Sequence, residues 1–247
     1  GICRDTLGDV DRAIAIVESV RAASIDDRDV VDQVIDFYRA SSQWDALRRL
    51  YESLLPRRAV EERPALQRAF ADLLETRLND VQGAAALWSD VLAADPKDAV
   101  AMAAVERSFT KTEQWHDLAE AYETHIAGLG DEASIEIRQK LGALCAGPLA
   151  EPYRAIEALS PVLDAAPESL ETLRTLARLY AQTGHWRYRA DILVRLGAHE
   201  AESSSARADA LEQAARICSI QLGDASAGFD HALQAWRLTP GVASRLE

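Results

Sequence analysis

The chain is 247 residues long, 48% hydrophobic and 27% charged, with a formal net charge of −13. So acidic a surface argues against nucleic acid as a partner, because phosphate binding needs a cationic face. No apolar run reaches the roughly 18 residues that a membrane span requires, and the N-terminus shows no charged-then-apolar leader, so nothing here reads as crossing a bilayer.

Only 12 Gly and 8 Pro punctuate a sequence dominated by Ala, Leu, Glu, Asp and Arg, which is helix-forming stock. Read from the N-terminus, residues 1–24 look like the end of a unit whose start is missing. Full units then run over 25–95, 96–166 and 167–239, and 240–247 opens another, as in an excerpt from a longer array. The frame comes from Trp44, Trp115 and Trp186, each 71 residues from the next. Tyr38, Phe109 and Tyr180 precede them by six positions, and Leu47/Leu118, Tyr51/Tyr122 and Glu52/Glu123 follow at common offsets. A second set aligns Leu7-Gly8-Asp9, Leu78-Asn79-Asp80, Leu149-Ala150-Glu151 and Leu222-Gly223-Asp224, with two residues inserted before the last. Pro96, Pro167 and Pro240 mark one recurring boundary.

Within the second unit the apolar spacing predicts four helices. The first follows Pro96 and buries Ala101, Ala104, Val105, Ser108 and Phe109. The second, about 114–128, buries Trp115, Leu118, Ala119, Tyr122 and Ile126. A third covers about 132–147 through Ile135, Ile137, Leu141 and Leu144, and a fourth about 152–165 through Ala155, Leu159, Val162 and Leu163. Asp9, Asp80, Glu151 and Asp224 stand where an acidic cap meets unpaired amides. Short connections make successive helices antiparallel neighbours, and no stretch alternates long enough to argue a strand.

Cys3, Leu74, Cys145 and Cys218 fall on one equivalent position. Cysteine exchanging with leucine behaves as a small buried hydrophobe, so all three are read as reduced thiols, which fits the cytoplasm. The histidines form no His-Glu-x-x-His pattern, and His116 with Glu120 reads as a solvated pair. No nucleophile elbow, phosphate loop or dinucleotide fingerprint occurs, so no cofactor, metal or catalytic role is expected. A composition rich in Ala, Arg and Asp and poor in Lys points to a high-GC bacterium.

The run Leu176-Ala177-Arg178-Leu179-Tyr180-Ala181-Gln182-Thr183-Gly184-His185-Trp186 resembles the tetratricopeptide (TPR) repeat. So does the spacing of Ala84, Trp88, Val91 and Pro96: a small residue for close helix approach, an aromatic to fill the groove, and a proline stop. Leu47, Leu118 and Arg189 stand where that family expects alanine, and Ser42 and Glu113 replace the glycine seen at Gly184. Odd and even hairpins therefore read as two types, giving a period of 71. The HEAT class is the alternative solenoid.

The resemblance implies an all-α solenoid, a right-handed superhelix of antiparallel hairpins whose inner face carries the first helix of each pair. It implies a protein-interaction scaffold taking a partner peptide or helix on that face. Asp29, Asp32 and Asp36 are the inward candidates in one hairpin, Arg107 and Lys111 in the third, and Arg174, Arg178 and Gln182 in the fifth. That makes a groove acidic near the N-terminus and basic further on. Arg187 and Tyr188, departures from the repeat beside Trp186, are candidates for a binding hot spot. The alternative is a structural spacer, or an array that associates weakly with itself through uncapped ends.

Overall fold

A computed structural model describes residues 27–130, 132–199 and 202–240, and Ser19 before them. The N-terminal part-unit with Cys3 and Asp9, and the opening of a further unit over 241–247, lie outside the described residues. The described residues are helical and contain no strand. They fall into two compact units, which meet in sequence between Gln114 and Trp115.

The first unit holds α1 (Arg28–Ala40), α2 (Trp44–Leu54), α3 (Arg63–Thr76), α4 (Val81–Ala94) and α5 (Ala99–Thr112). The second holds α6 (Trp115–Gly128), α7 (Ile135–Ala146, preceded by a 3₁₀ turn over Glu132–Ser134), α8 (Pro152–Ala165), α9 (Leu170–Gln182), α10 (Trp186–Ala198), α11 (Ser204–Arg216, prolonged by a π turn over Ile217–Gln221) and α12 (Ala225–Leu238). The helices start where the acidic caps demand. Asp80 accepts from the Gly83 amide and Asp224 from the Ala227 amide, each at 2.9 Å. Asp98 accepts from Val100 and Ala101 at 2.9 and 3.0 Å. Each such cap contributes about 1 kcal/mol by satisfying otherwise orphaned amides. Glu151 departs from this pattern: it caps no amide and instead accepts from Arg154, at 3.1 Å.

One turn geometry recurs at both sets of repeat landmarks. Ser42, Asn79, Glu113 and Ala150 have φ of 56°, 53°, 55° and 52°, matching Gly184 and Gly223 at 71° and 69°. The left-handed turn thus persists where glycine has been replaced. What differs is the closure. Gln43, Gln114 and His185 donate five residues back, to the carbonyls of Tyr38, Phe109 and Tyr180, at 2.9–3.0 Å. Asp80, Glu151 and Asp224 donate six residues back, to Leu74, Cys145 and Cys218, each at 2.8 Å. One additional residue in every second turn is the physical basis of the two hairpin types.

The stripe expected on α5 is buried throughout, joined by Met102. Leu118, Ala119 and Tyr122 of α6, Leu141 and Leu144 of α7, and Ala155, Leu159, Val162 and Leu163 of α8 are buried too. Trp115, Ile126, Ile135 and Ile137 are only half-buried. Trp44 and Trp186 likewise stand half-buried at the first position of their helices, and Arg77 lies 5.0 Å over the Trp44 ring. Ala84, Trp88 and Val91 are buried on α4, as the small–aromatic–apolar spacing requires. Each such large side chain removed from water contributes about 1.5–3 kcal/mol. Cys145 and Cys218 are buried and free, and Leu74 at the same repeat position is buried beside them in kind. Burial pushes the Cys145 thiol up to about 11, so near neutral pH it stays protonated and inert.

Candidate functional site

The first unit contains an open cleft between α1, α2 and α3. Its walls follow from the charged stripe of α1, where Arg28, Asp32, Asp36 and Arg39 recur at helical spacing beside buried Val31 and Ile35. Its floor is Leu54 and Tyr51, with Leu66 and Ala69 of α3 opposite. The main lobe has a volume of about 430 Å³. A neighbouring lobe of about 410 Å³ shares Arg39, Tyr51 and Ala69 and runs on to Trp44 and Arg77.

The waist between the lobes is fixed by a hydrogen bond. Arg39 Nη2 donates to the Tyr51 hydroxyl at 3.1 Å, and the Tyr51 ring stacks on Phe70 with centroids 5.3 Å apart. Burial raises the Tyr51 hydroxyl pKa, and the Arg39 charge only partly opposes this, so the phenol stays neutral. Arg28 pairs with Glu62 at 3.5 Å on the rim. Asp32 and Asp36, the expected acidic residues, do line this cleft, and Arg28, Arg39 and Arg58 share it with them. Within the cleft the charge is therefore mixed. An apolar floor under charges of both signs suits an amphipathic segment more than a small molecule.

The remaining sequence candidates are all on exposed positions. Arg107 is clamped by Glu75 in a two-pronged ion pair, at 2.7 and 2.8 Å, and this pairing together with the Lys111 charge holds the Glu75 carboxyl below its ordinary range. Arg174 is paired with Glu202 on the edge of a hollow of about 250 Å³ lined by Leu193, Leu196 and Gln213. Arg178 and Gln182 follow Arg174 along α9. Arg187 and Tyr188 lie on the first turn of α10, where the Tyr188 ring stacks on Tyr180 with centroids 5.5 Å apart. His116 and Glu120 are both exposed on α6, and His116 Nδ1 lies 3.8 Å from Glu151. Among the described residues no group of three or more His, Cys, Asp or Glu side chains is placed to hold a metal ion, and no helix is long and apolar enough to cross a membrane.

Sequence reasoning missed Arg28, Arg39, Arg58 and Tyr51. The first two were signalled by the α1 stripe, since they share a face with Asp32 and Asp36. Arg58 lies in the non-helical stretch between α2 and α3, where periodicity says nothing.

No family model matches the sequence, and no curated protein matches it. Several solved structures are similar in fold. A crystal structure of YrrB, described as a TPR protein with an unusual peptide-binding site, is 16% identical with a TM-score of 0.43, over 78% of this chain and 93% of that one. A crystal structure of MamA is 16% identical with a TM-score of 0.42, over 68% and 93%. The C-terminal part of a TPR repeat-containing protein from Cytophaga hutchinsonii is 14% identical with a TM-score of 0.42, over 97% and 94%. On its own recurring turns and hairpin closures, the described part of the chain is an all-helical array of repeated hairpins.

Proposed function

We propose that this protein is a non-enzymatic interaction scaffold that binds a peptide or helix of a partner protein, with the α1–α3 cleft as the seat. The observation that supports it is the cleft itself: two adjoining lobes, an apolar floor, and Asp32 and Asp36 opposed by Arg28, Arg39 and Arg58. A ligand with one apolar face and charges of both signs is complementary to it. The acidic surface speaks against nucleic acid, and the buried protonated thiols fit a reducing compartment such as the cytoplasm. The test is a quantitative pulldown with the wild type and with Asp32→Lys/Asp36→Lys. At least one specific interactor is lost from the double variant while its helical content is unchanged. Retention of every interactor contradicts the assignment of the cleft.

A second reading, self-association through the last described helix, rests on a separate observation. Phe229 and Trp236 of α12 are 68% and 50% exposed, whereas the equivalent Ala85 and Leu92 of α4, and Leu163 of α8, are buried. Exposed apolar area of this kind on a helix face marks an interaction surface. Light scattering of the wild type then shows a mass that rises with concentration, and Phe229→Lys/Trp236→Lys abolishes the rise. A constant mass removes this reading.

A further inference from the structure

The second unit carries a connected group of rings that the repeat does not require. Tyr153 at the start of α8 meets His185 edge-on, with centroids 5.9 Å apart and planes at 80°. His185, ahead of α10, lies 6.2 Å from Tyr180 and 6.3 Å from Tyr188. Tyr180 and Tyr188 stack at 5.5 Å, closing the group. Three elements contribute, yet the two outer rings stay in water: Tyr153 is 64% and Tyr188 is 59% exposed.

The repeat serves as an internal control. Tyr180 belongs to a position that is aromatic in each unit, as Tyr38 and Phe109. The other three do not. Tyr153 corresponds to Gln82 and Ser226, Tyr188 to Ala46 and Asp117, and His185 to Gln43 and Gln114. The hairpins elsewhere fold with small or polar groups at these places, so helix packing does not account for the rings. Large aromatic side chains left exposed and clustered mark a binding surface.

We infer that Tyr153, Tyr180, His185 and Tyr188 form a second docking surface, separate from the α1–α3 cleft, and that its occupant is an extended proline-rich segment bearing an acidic residue. The chemistry of the surface selects this partner. The surface offers ring faces together with the tyrosine hydroxyls as donors, and the exposed Arg187 guanidinium is carried on the same first turn of α10 as Tyr188. The His185 Nδ1–H is already given to Thr183 Oγ1, at 2.7 Å. A polyproline II segment supplies the complement. Its backbone is rich in carbonyl acceptors and poor in N–H donors, its pyrrolidine rings pack on aromatic faces, and it is ordered before it binds. Arg187 is exposed with no ion pair among the described residues, so it is free to meet a carboxylate flanking the prolines. The Tyr153 and Tyr188 faces are the parts left open to receive the prolines, while the inner rings hold them in place.

The test uses a peptide of nine prolines ending in glutamate, and a control with alanine in place of each proline, titrated against the whole chain with the fluorescence of its tryptophans, Trp186 adjoining the rings, and by calorimetry. The proline peptide binds saturably and at least ten-fold more tightly than the control. Tyr153→Gln/Tyr188→Asp, which installs residues other hairpins already carry, weakens binding at least ten-fold without moving the melting temperature. Tyr153→Gln alone does so in part. Asp32→Lys/Asp36→Lys binds the peptide as the wild type does, so failure of the cleft assignment and failure of this one are read separately. Absence of saturable binding, equal binding of the alanine control, or full affinity in the folded double variant overturns the inference. So does a wild type that dimerises through these rings instead, seen as a concentration-dependent mass lost in the double variant.

Discussion

Ala150 carries a left-handed backbone, φ 52°, on an exposed turn where Gly223 sits two hairpins later. A Cβ in that region costs about 1–2 kcal/mol relative to glycine, while glycine gives back part of this through its larger unfolded-state entropy. Ala150→Gly is therefore expected to raise stability by about 0.5–1 kcal/mol, seen as a higher urea midpoint with an unchanged slope. A lower midpoint would show that this turn is held by something other than its backbone conformation. Arg189 is the opposite kind of departure. It stands where Leu47 and Leu118 are buried, its Nε is buried without a partner, and its Nη2 reaches Gln213 at 3.1 Å while its guanidinium lies 5.9 Å over Trp186. The guanidinium has found partial compensation at a position built for an aliphatic side chain.

At the scale of elements, α3 and α5 are joined by two ion pairs at their surfaces. Arg68 donates to Asp98, the cap of α5, at 2.5 Å, and Arg107 grips Glu75. Burial on its own would raise the Asp98 pKa, but hydrogen bonds from Ala101 and Arg68 and the Arg68 charge outweigh it and hold the carboxyl below its ordinary value. Glu75 is held down by its hydrogen bonds from Arg107 against a smaller opposing effect of burial. Both folded-state values are depressed, so both groups stabilise the fold above their unfolded pKa values, 4.5 for Glu75 and 3.8 for Asp98. That contribution is lost as pH falls through the folded values. Circular dichroism melts are expected to show a midpoint that declines as pH falls below about 4.5, with a shallower decline in Glu75→Gln. An identical decline in the variant would mean that the Glu75–Arg107 pair does not couple these helices. The same elements show what the sequence made legible. Helical period and the tryptophan frame placed α6 and α8 almost to the residue, because each signal is local, whereas α5 runs three residues beyond its expected end, to Thr112. Which carboxylate would hold which arginine was not legible. Glu75 and Arg107 are 32 residues apart, Arg174 and Glu202 are 28 apart, and a periodicity reports faces rather than partners.

At the scale of the whole molecule, the chain reuses one helical pair with two turn closures and varies what that pair displays. Its first unit displays charges of both signs over an apolar floor, and its second displays tyrosines. The fold was legible because repetition supplies its own alignment. Asp32 and Asp36 were legible as exposed members of a first helix, but the cleft's arginines and its Tyr51 floor emerge only when three elements meet. The most direct test of the scaffold account is hydrogen exchange on the chain with its captured partner bound. The account predicts slowed exchange concentrated in residues 28–76, the elements that build the cleft, with the Asp32→Lys/Asp36→Lys variant showing none of it. Protection that bypasses those residues, or that survives in the variant, would contradict it.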